Sequence, residues 1–257
     1  MNKNNRKILR YVIDIFLIIL PVVLLFLIWF VKAKNHTLNT SIMPAPESVY
    51  KALSKQISKG YLWKHIRASF FRVIKGYLLG SILGFTIGTF AAMFRPLSKL
   101  LTVPIGFLRS IPAIALIPFF ILSMGIGETS KIAVITFGTF WPVLINTMQG
   151  IKSAEGKLLE VGTIFCKSKF TIFRKIILPS AIPSVLTGLR LGSSSSWVCV
   201  VAAEMIAASA GIGFLITYSR EMADPATLIV GTVILGIFGI LIDLLFSKLN
   251  KKLVYWR

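Results

Sequence analysis

Six apolar runs divide this chain and constrain its fold more than any other feature of the sequence. They cover residues 15–31, 76–94, 111–124, 132–148, 183–207 and 228–246. A helix needs about 20 apolar residues to cross a bilayer, and within lipid every backbone polar group must be satisfied inside the segment. With 55% hydrophobic and 15% charged residues, the chain does not have the composition of a soluble domain. We therefore predict an all-α, polytopic membrane protein with about six transmembrane helices.

The cationic residues set the predicted orientation. The net charge of +20 comes mainly from Lys and Arg between the apolar runs, which is typical of membrane proteins and only a weak indication of nucleic-acid binding. Six spans place both termini on one side, and the cations of the two tails and of 152–180 favour that side as cytoplasmic. Segment 32–75, with nine Lys and Arg, would then be external. Its positive charge does not overturn this topology, because long loops obey the charge rule poorly.

Three regions follow from this topology. They are 1–31, a cytoplasmic tail and first span; 32–75, an external linker and amphipathic helix; and 76–257, the transmembrane core with a loop at 152–180. The run at 15–31 is too long for a signal-peptide core, and we expect it to be retained. In the second region Val49, Leu53 and Ile57 would share one face of a helix lying along the membrane surface.

A glycine stripe marks the second span. Gly76, Gly80, Gly84 and Gly88 recur every four residues, so they lie on one face of a helix. Small residues at this spacing let two helix backbones approach closely in lipid. We expect this span to pack at the centre of the bundle.

Polar residues in or beside the spans are candidates for a solute pathway or a structural polar role. These are Arg109, Ser110, Asn146, Arg190, Trp197 and Glu204. Charges at membrane depth raise a functional hypothesis by default. Arg190 and Glu204 lie roughly 21 Å apart along a helix and cannot pair within it, so we expect each to reach an opposite interface. Pro112 and Pro118 in the third run favour a kinked or broken helix.

The longest break between apolar segments in the second half, 152–183, has the pattern of two short amphipathic helices. Leu158, Val161 and Phe165 would form one apolar stripe. A second short helix follows a polar elbow, and we expect Pro179 to end it, because a residue before proline is pushed out of the helical region. Periodicity alone leaves two interpretations open: a hairpin on the lipid headgroups, or a surface that docks on another protein.

Several motifs occur in a characteristic order. They are MPAPESV at 43–49, RSIPAIALIPFFILSMGIGETSKI at 109–132, WPVLINTMQGI at 141–151, LEVGTIF at 159–165, KIILPSAIPSVLTGLRLG at 175–192 and AAEMIAASAGIGFLI at 202–216. This order resembles the permease subunits of bacterial ABC importers, most closely the subfamily for aliphatic sulfonates, taurine and nitrate. The resemblance covers nearly the whole chain beyond residue 40. It implies a multi-pass protein of the bacterial plasma membrane.

In that family a cytoplasmic coupling loop docks on the ATP-hydrolysing subunit. Matching its motif, Glu160 takes the place of the glutamate, and Val161 and Gly162 those of two alanines. Cys166 stands where the family has a glycine at the turn. The resemblance thus implies contacts with the ATPase subunit at Glu160, Val161, Gly162, Phe165, Cys166, Lys167, Lys169 and Pro179.

The resemblance also implies the partners. Two permease chains would form a pathway at their interface, two ATP-binding subunits would dock on the cytoplasmic face, and an external binding protein would deliver the solute. The chain has no phosphate-binding glycine loop, so ATP and Mg²⁺ are expected on the partner subunit and no cofactor in this chain. We predict no enzymatic activity and no catalytic or metal-binding residues, and we expect lipid but no nucleic acid among the partners.

Two other classes of function remain. An ion-coupled secondary transporter would use Glu204 and Asp243 as relay carboxylates, but such transporters have internal repeats, and the sequence shows none. A membrane-embedded enzyme is improbable, because the two histidines, His36 and His65, lie outside the predicted spans. For the importer, a pyrimidine precursor is the alternative to a sulfonate-, taurine- or nitrate-like solute.

Overall fold

The computed structural model describes residues 17, 20, 21, 23–35, 37, 39, 42–164 and 168–253. All regular secondary structure in this part is helical. The helices are α1 (23–34), α2 (Pro46–Ser58), α3 (Tyr61–Met93), α4 (Arg95–Leu108), α5 (Ile117–Met124), α6 (Glu128–Ile164), α7 (Lys169–Ile172), α8 (Leu178–Ala207), α9 (Ile212–Glu221) and α10 (Pro225–Leu253). A 3₁₀ turn, Ala113–Leu116, precedes α5, and a π turn, Phe173–Ile177, joins α7 to α8.

Among the described residues, four helices are long and apolar enough to cross a membrane: Tyr61–Met93, Glu128–Ser153, Phe170–Ala207 and Pro225–Asn250. The predicted third span is not one helix. Its place is taken by two helices, Arg95–Leu108 and Ala113–Met124, that meet at 83°, and α4 lies between the second and third apolar runs of the sequence. The predicted first span lies partly outside the described residues.

The predicted amphipathic helix after residue 48 is two helices. Gly60 has φ +70°, a left-handed conformation that glycine adopts without steric cost, and the chain turns there from α2 into α3. The latter continues without a break through residue 75 into the second span. Val49, Ala52 and Leu53 of α2 pack against the core of the bundle. Protein therefore packs against the first turns of the apolar face of α2, whereas Ile57 near its end is 48% exposed.

The glycine stripe of α3 lies directly against α6. A Cβ built on Gly76, Gly80, Gly84 or Gly88 would come within 2.6–2.8 Å of an atom of α6. For three of the four that atom is a backbone oxygen, so the two backbones are in contact and only glycine fits.

Small residues also join α6 to α8, because a Cβ built on Gly188 or Gly192 of α8 would lie 3.0–3.2 Å from backbone atoms of α6. The three helices α3, α6 and α8 thus form the centre of the bundle, with Ile135, Val143 and Val200 fully buried.

Pro179 does not end a helix, which corrects the prediction from sequence. The helical chain runs from Phe170 to Ala207, and Pro179 lies in the first turn of α8. A proline lacks the N–H for the hydrogen bond to residue i−4, and its ring collides with that carbonyl. The preceding π turn is wider than an α-helical turn, so it accommodates the ring without breaking the helix.

Candidate functional site

The break in the third membrane segment brings polar groups to an elbow between apolar helices. Pro112 has no backbone N–H and restricts Ile111 to extended conformations. The helix α4 therefore ends before Pro112. At its end the N–H of Ile111 donates to the carbonyl of Leu108 at 3.2 Å, and the hydroxyl of Ser110 donates to the carbonyl of Gly106 at 2.8 Å. As a result, Arg109 and Ser110 are exposed in the middle of a helical pair rather than at its end.

A cavity of about 370 Å³ opens beside this elbow. Its lining comes from the elbow, from α6 and from α8, and consists of Arg109, Ile111, Pro112, Ala113, Phe137, Gly138, Trp141, Pro142, Ile145, Asn146, Leu191 and Ser195. Three of these side chains are polar, namely Arg109, Asn146 and Ser195. An apolar cavity with a few convergent polar groups is the usual form of a small-molecule site.

Two prolines shape the cavity from opposite sides. In addition to Pro112 at the elbow, Pro142 lies inside α6 and removes the hydrogen bond that the carbonyl of Gly138 would otherwise accept. The amide of Asn146 donates to the carbonyl of Pro142 at 2.8 Å, which fixes the orientation of that side chain. Non-helical backbone at membrane depth is tolerated where it lines a cavity.

The structure separates the residues predicted for a pathway. Arg109 and Asn146 line the cavity, with Ser110 next to Arg109. Trp197 does not; it is buried and stacks on Phe238 with 5.4 Å between ring centroids.

The prediction that Arg190 and Glu204 each reach an interface is wrong for Glu204, which is only 1% exposed. Arg190 is exposed and pairs with Asp243 of α10, with 2.7 Å between its Nε and the carboxylate.

Glu204 belongs to a buried ion cluster at one end of the bundle. Its carboxylate accepts hydrogen bonds at 2.7 Å from the guanidinium of Arg72 and at 2.8 Å from the hydroxyl of Ser69. Arg72 also binds Glu128 at the start of α6 at 2.7 Å, and Lys131 contacts Glu128 at 3.2 Å. The cluster contains two cations and two carboxylates, so its charges balance, as buried charges require.

The same cluster caps the N-terminus of α9. The first N–H groups of a helix have no intrahelical partner; here those of Gly211, Ile212 and Gly213 bind His65 Nδ1, Ser69 Oγ and Glu204 Oε2 at 3.1, 2.8 and 3.0 Å. A carboxylate at this position is also favoured by the helix dipole. The position of α9 is therefore set by side chains of α3 and α8.

Sequence reasoning missed Ser69, Arg72 and Glu128 as members of this cluster. The available signal was that Arg72 lies at the edge of an apolar helix and needs an acidic partner. That partner is 132 positions away, and pairing at such a distance is not encoded in any local pattern.

The predicted coupling-loop residues lie mostly outside the described part of the chain. Phe165, Cys166 and Lys167 are outside it, as are the side chains of Glu160, Val161, Gly162 and Lys169. The backbone at 160–162 forms the last turns of α6, so the predicted first docking helix continues the fourth span. The second predicted docking helix begins after Ser168, whose Oγ caps it by accepting the N–H of Thr171 at 3.3 Å. The predicted contacts with an ATPase subunit remain predictions.

Comparison with known proteins gives consistent matches over most of the chain. Residues 76–255 match the family described as binding-protein-dependent transport system inner membrane component. The chain is 33% identical over 240 residues, 93% of its length and 87% of the relative's, to a protein of Bacillus subtilis (strain 168) named as the aliphatic sulfonates transport permease SsuC. It is 29% identical over 235 residues, 90% of its length and 86% of the relative's, to the taurine transport system permease protein TauC of Escherichia coli (strain K12).

A solved structure shares the fold. The inward-facing MetNI methionine ABC transporter contains a chain that aligns with a TM-score of 0.66 at 18% identity, covering 75% of this chain and 97% of that one. This agrees with the helical, multi-pass architecture described above.

Proposed function

Because this chain belongs to the family of inner membrane components of binding-protein-dependent transport systems, we propose that it is the permease subunit of an ATP-driven importer for a small anionic, sulfonate-like solute. The observation that carries the proposal is the cavity at the broken third segment, where Arg109 is presented between α6 and α8. Relatives named for sulfonates and taurine support the solute class.

The chemistry of the cavity fits an oxyanion. A guanidinium presents several N–H donors in a planar fork that matches sulfonate or carboxylate oxygens. Ser195 adds a hydroxyl, and the apolar walls of Phe137, Trp141 and Leu191 would contact an organic substituent. Nitrate is an alternative anion that the same guanidinium would bind, and a pyrimidine precursor is the alternative from another class of solute.

A second copy of the chain would close the cavity. The face of α8 next to it exposes Thr187, Arg190, Leu191 and Ser194, which repeat at helical spacing. Three of these four side chains are polar, whereas a surface facing lipid tails would be apolar. We therefore infer that this face lines the interface of a homodimer and that the pathway runs between the two copies.

The remaining partners follow from the same proposal. The loop at 152–180 and both termini face the cytoplasm. The loop docks on a dimer of ATP-binding subunits, which carry ATP and Mg²⁺. An external binding protein delivers the solute. The chain itself is then not an enzyme. The ion-coupled alternative loses support, because Glu204 pairs with Arg72 and Asp243 with Arg190, so neither carboxylate is left unpaired for a relay.

Uptake by the permease, its ATPase subunit and its binding protein in proteoliposomes tests the function. We expect uptake to require ATP. Arg109→Gln should abolish it while ATPase subunits remain bound, and Arg109→Lys should retain part of it. Arg95→Gln is the matched control, because Arg95 is also exposed but does not line the cavity. Uptake without ATP would contradict the importer, and unchanged uptake by Arg109→Gln would contradict the site.

Cross-linking tests the homodimer. A Ser194→Cys chain in a Cys166→Ser background should form cross-linked dimers in the assembled complex. Only monomers, in a complex that retains its ATPase, would contradict the proposed interface.

A further inference from the structure

The corner where α2 turns into α3 carries a dense set of exposed cations. Lys51, Lys55 and Lys59 repeat every four residues and therefore share one face at the end of α2, and Lys64 and Arg67 follow on the first turns of α3. All five are exposed. We call this set the cationic corner.

The cationic corner has no anionic partner within the described part of the protein. None of its five side chains takes part in the ion pairs found there, and Arg67 instead lies over the ring of Phe71 at 5.5 Å. Between residues 47 and 67 the only acidic residue is Glu47. The corner thus has an excess of four positive charges, five cations against one carboxylate, that nothing in the described chain neutralises.

Exposed aromatic residues surround these cations. Tyr50, Tyr61 and Trp63 are 73%, 54% and 64% exposed. Tyrosine and tryptophan are enriched at the level of the lipid headgroups, where one end of the side chain meets apolar tails and the other meets water. Their presence beside lysines is typical of a surface at the membrane interface.

The exposed surface of α3 changes in character just beyond the corner. Lys75 is the last exposed cation of α3, and the large side chains exposed beyond it are apolar, beginning with Leu78 and Leu79 at 51% and 49% exposure. The change from cationic to apolar therefore occurs between Lys75 and Leu78, about two turns beyond Arg67. This places the boundary between headgroups and hydrocarbon near Lys75 and the cationic corner on its headgroup side.

We propose that the cationic corner binds the phosphates of anionic phospholipids. Val49, Ala52 and Leu53 of α2 already pack against the bundle, and the three lysines lie on its exposed side. Anionic phospholipid headgroups complement the charge of these lysines, because juxtamembrane lysines are attracted to anionic headgroups. This occupant also accounts for a segment of high positive charge outside the cytoplasmic side of the proposed topology.

Lipid retention tests this proposal in the full-length protein. The permease is reconstituted in nanodiscs made from equal amounts of phosphatidylglycerol and phosphatidylcholine, extracted in mild detergent, and its bound lipids are quantified by native mass spectrometry. We expect the wild-type protein to retain phosphatidylglycerol preferentially. In Lys51→Gln/Lys55→Gln/Lys59→Gln the preference should fall by at least fivefold, since each lysine near an anionic surface contributes roughly fivefold.

Two control variants make the result specific. Lys51→Arg/Lys55→Arg/Lys59→Arg keeps the charge and should keep the preference, and Ser54→Gln/Ser58→Gln alters the same helix without removing a cation. An unchanged preference in the glutamine variant would overturn the proposal. Unchanged lipid retention together with a loss of stimulation by the binding protein would instead assign the corner to an acidic protein surface.

Discussion

Replacing Arg72 by methionine should destabilise this protein far more than the loss of any other single cation. The substitution keeps an unbranched apolar stem but removes the charged guanidinium. It leaves the carboxylate of Glu204, which is 1% exposed, with only the hydroxyl of Ser69 and the N–H of Gly213 as donors. Removing one partner of a buried ion pair costs about 3–5 kcal/mol. At about 2–4 °C per kcal/mol for a chain of this size, the Tm should fall on the order of 10 °C.

The assay is the melting temperature of the purified protein in detergent, measured by the amount that stays monodisperse after heating. Adding Glu204→Gln to Arg72→Met should raise the Tm again, because the amide oxygen can accept the hydrogen bonds of Ser69 and Gly213 without an unpaired buried charge. Arg190→Met is the control, since its pair with Asp243 is 45% and 53% exposed and such pairs contribute about 1 kcal/mol or less. A small shift for Arg72→Met, or a further loss on adding Glu204→Gln, would refute the reasoning.

Two further substitutions test other surfaces. Gly84→Leu should reduce assembly and transport, because a Cβ there already lies 2.7 Å from the carbonyl of Phe140, whereas Gly106→Leu, with no atom within 4 Å, should be tolerated; equal yields of the two variants would show that α3 and α6 do not need this contact. Glu160→Lys should insert normally but lose bound ATPase and ATP-driven uptake, since we expect Glu160 to meet a basic groove edge on the ATPase subunit and like charges across an interface cost several kcal/mol; a purified complex that keeps its ATPase would favour the lipid-headgroup hairpin instead.

The parts of this fold that follow local periodicity could be predicted from the sequence. The spacing of Gly76 to Gly88 indicated a close helix contact, and the apolar runs indicated the four long spans. A proline was expected to end a helix, yet Pro179 is accommodated by a π turn. A break in the third run was expected from Pro112, but the sequence did not show that α4 forms the other half of that broken span.

The candidate sites were predictable only in part. Arg109 and Asn146 were identified as unusual polar residues in or beside the spans, but nothing in the sequence showed that they share one cavity. Glu204 was identified as well, but its partner Arg72 was not, because ion pairing between distant helices depends on how the bundle packs. A charged residue in a span therefore indicates that a partner exists without indicating which residue it is.

The way α9 is capped has a consequence for the order in which the chain is made. A helix of 10 residues is marginal on its own in water, and the side chains that hold its first turn are His65, Ser69 and Glu204. All three precede it in the sequence, so they are synthesised before α9. A fragment that begins at residue 208 would therefore carry the sequence of α9 without the groups that hold its first turn.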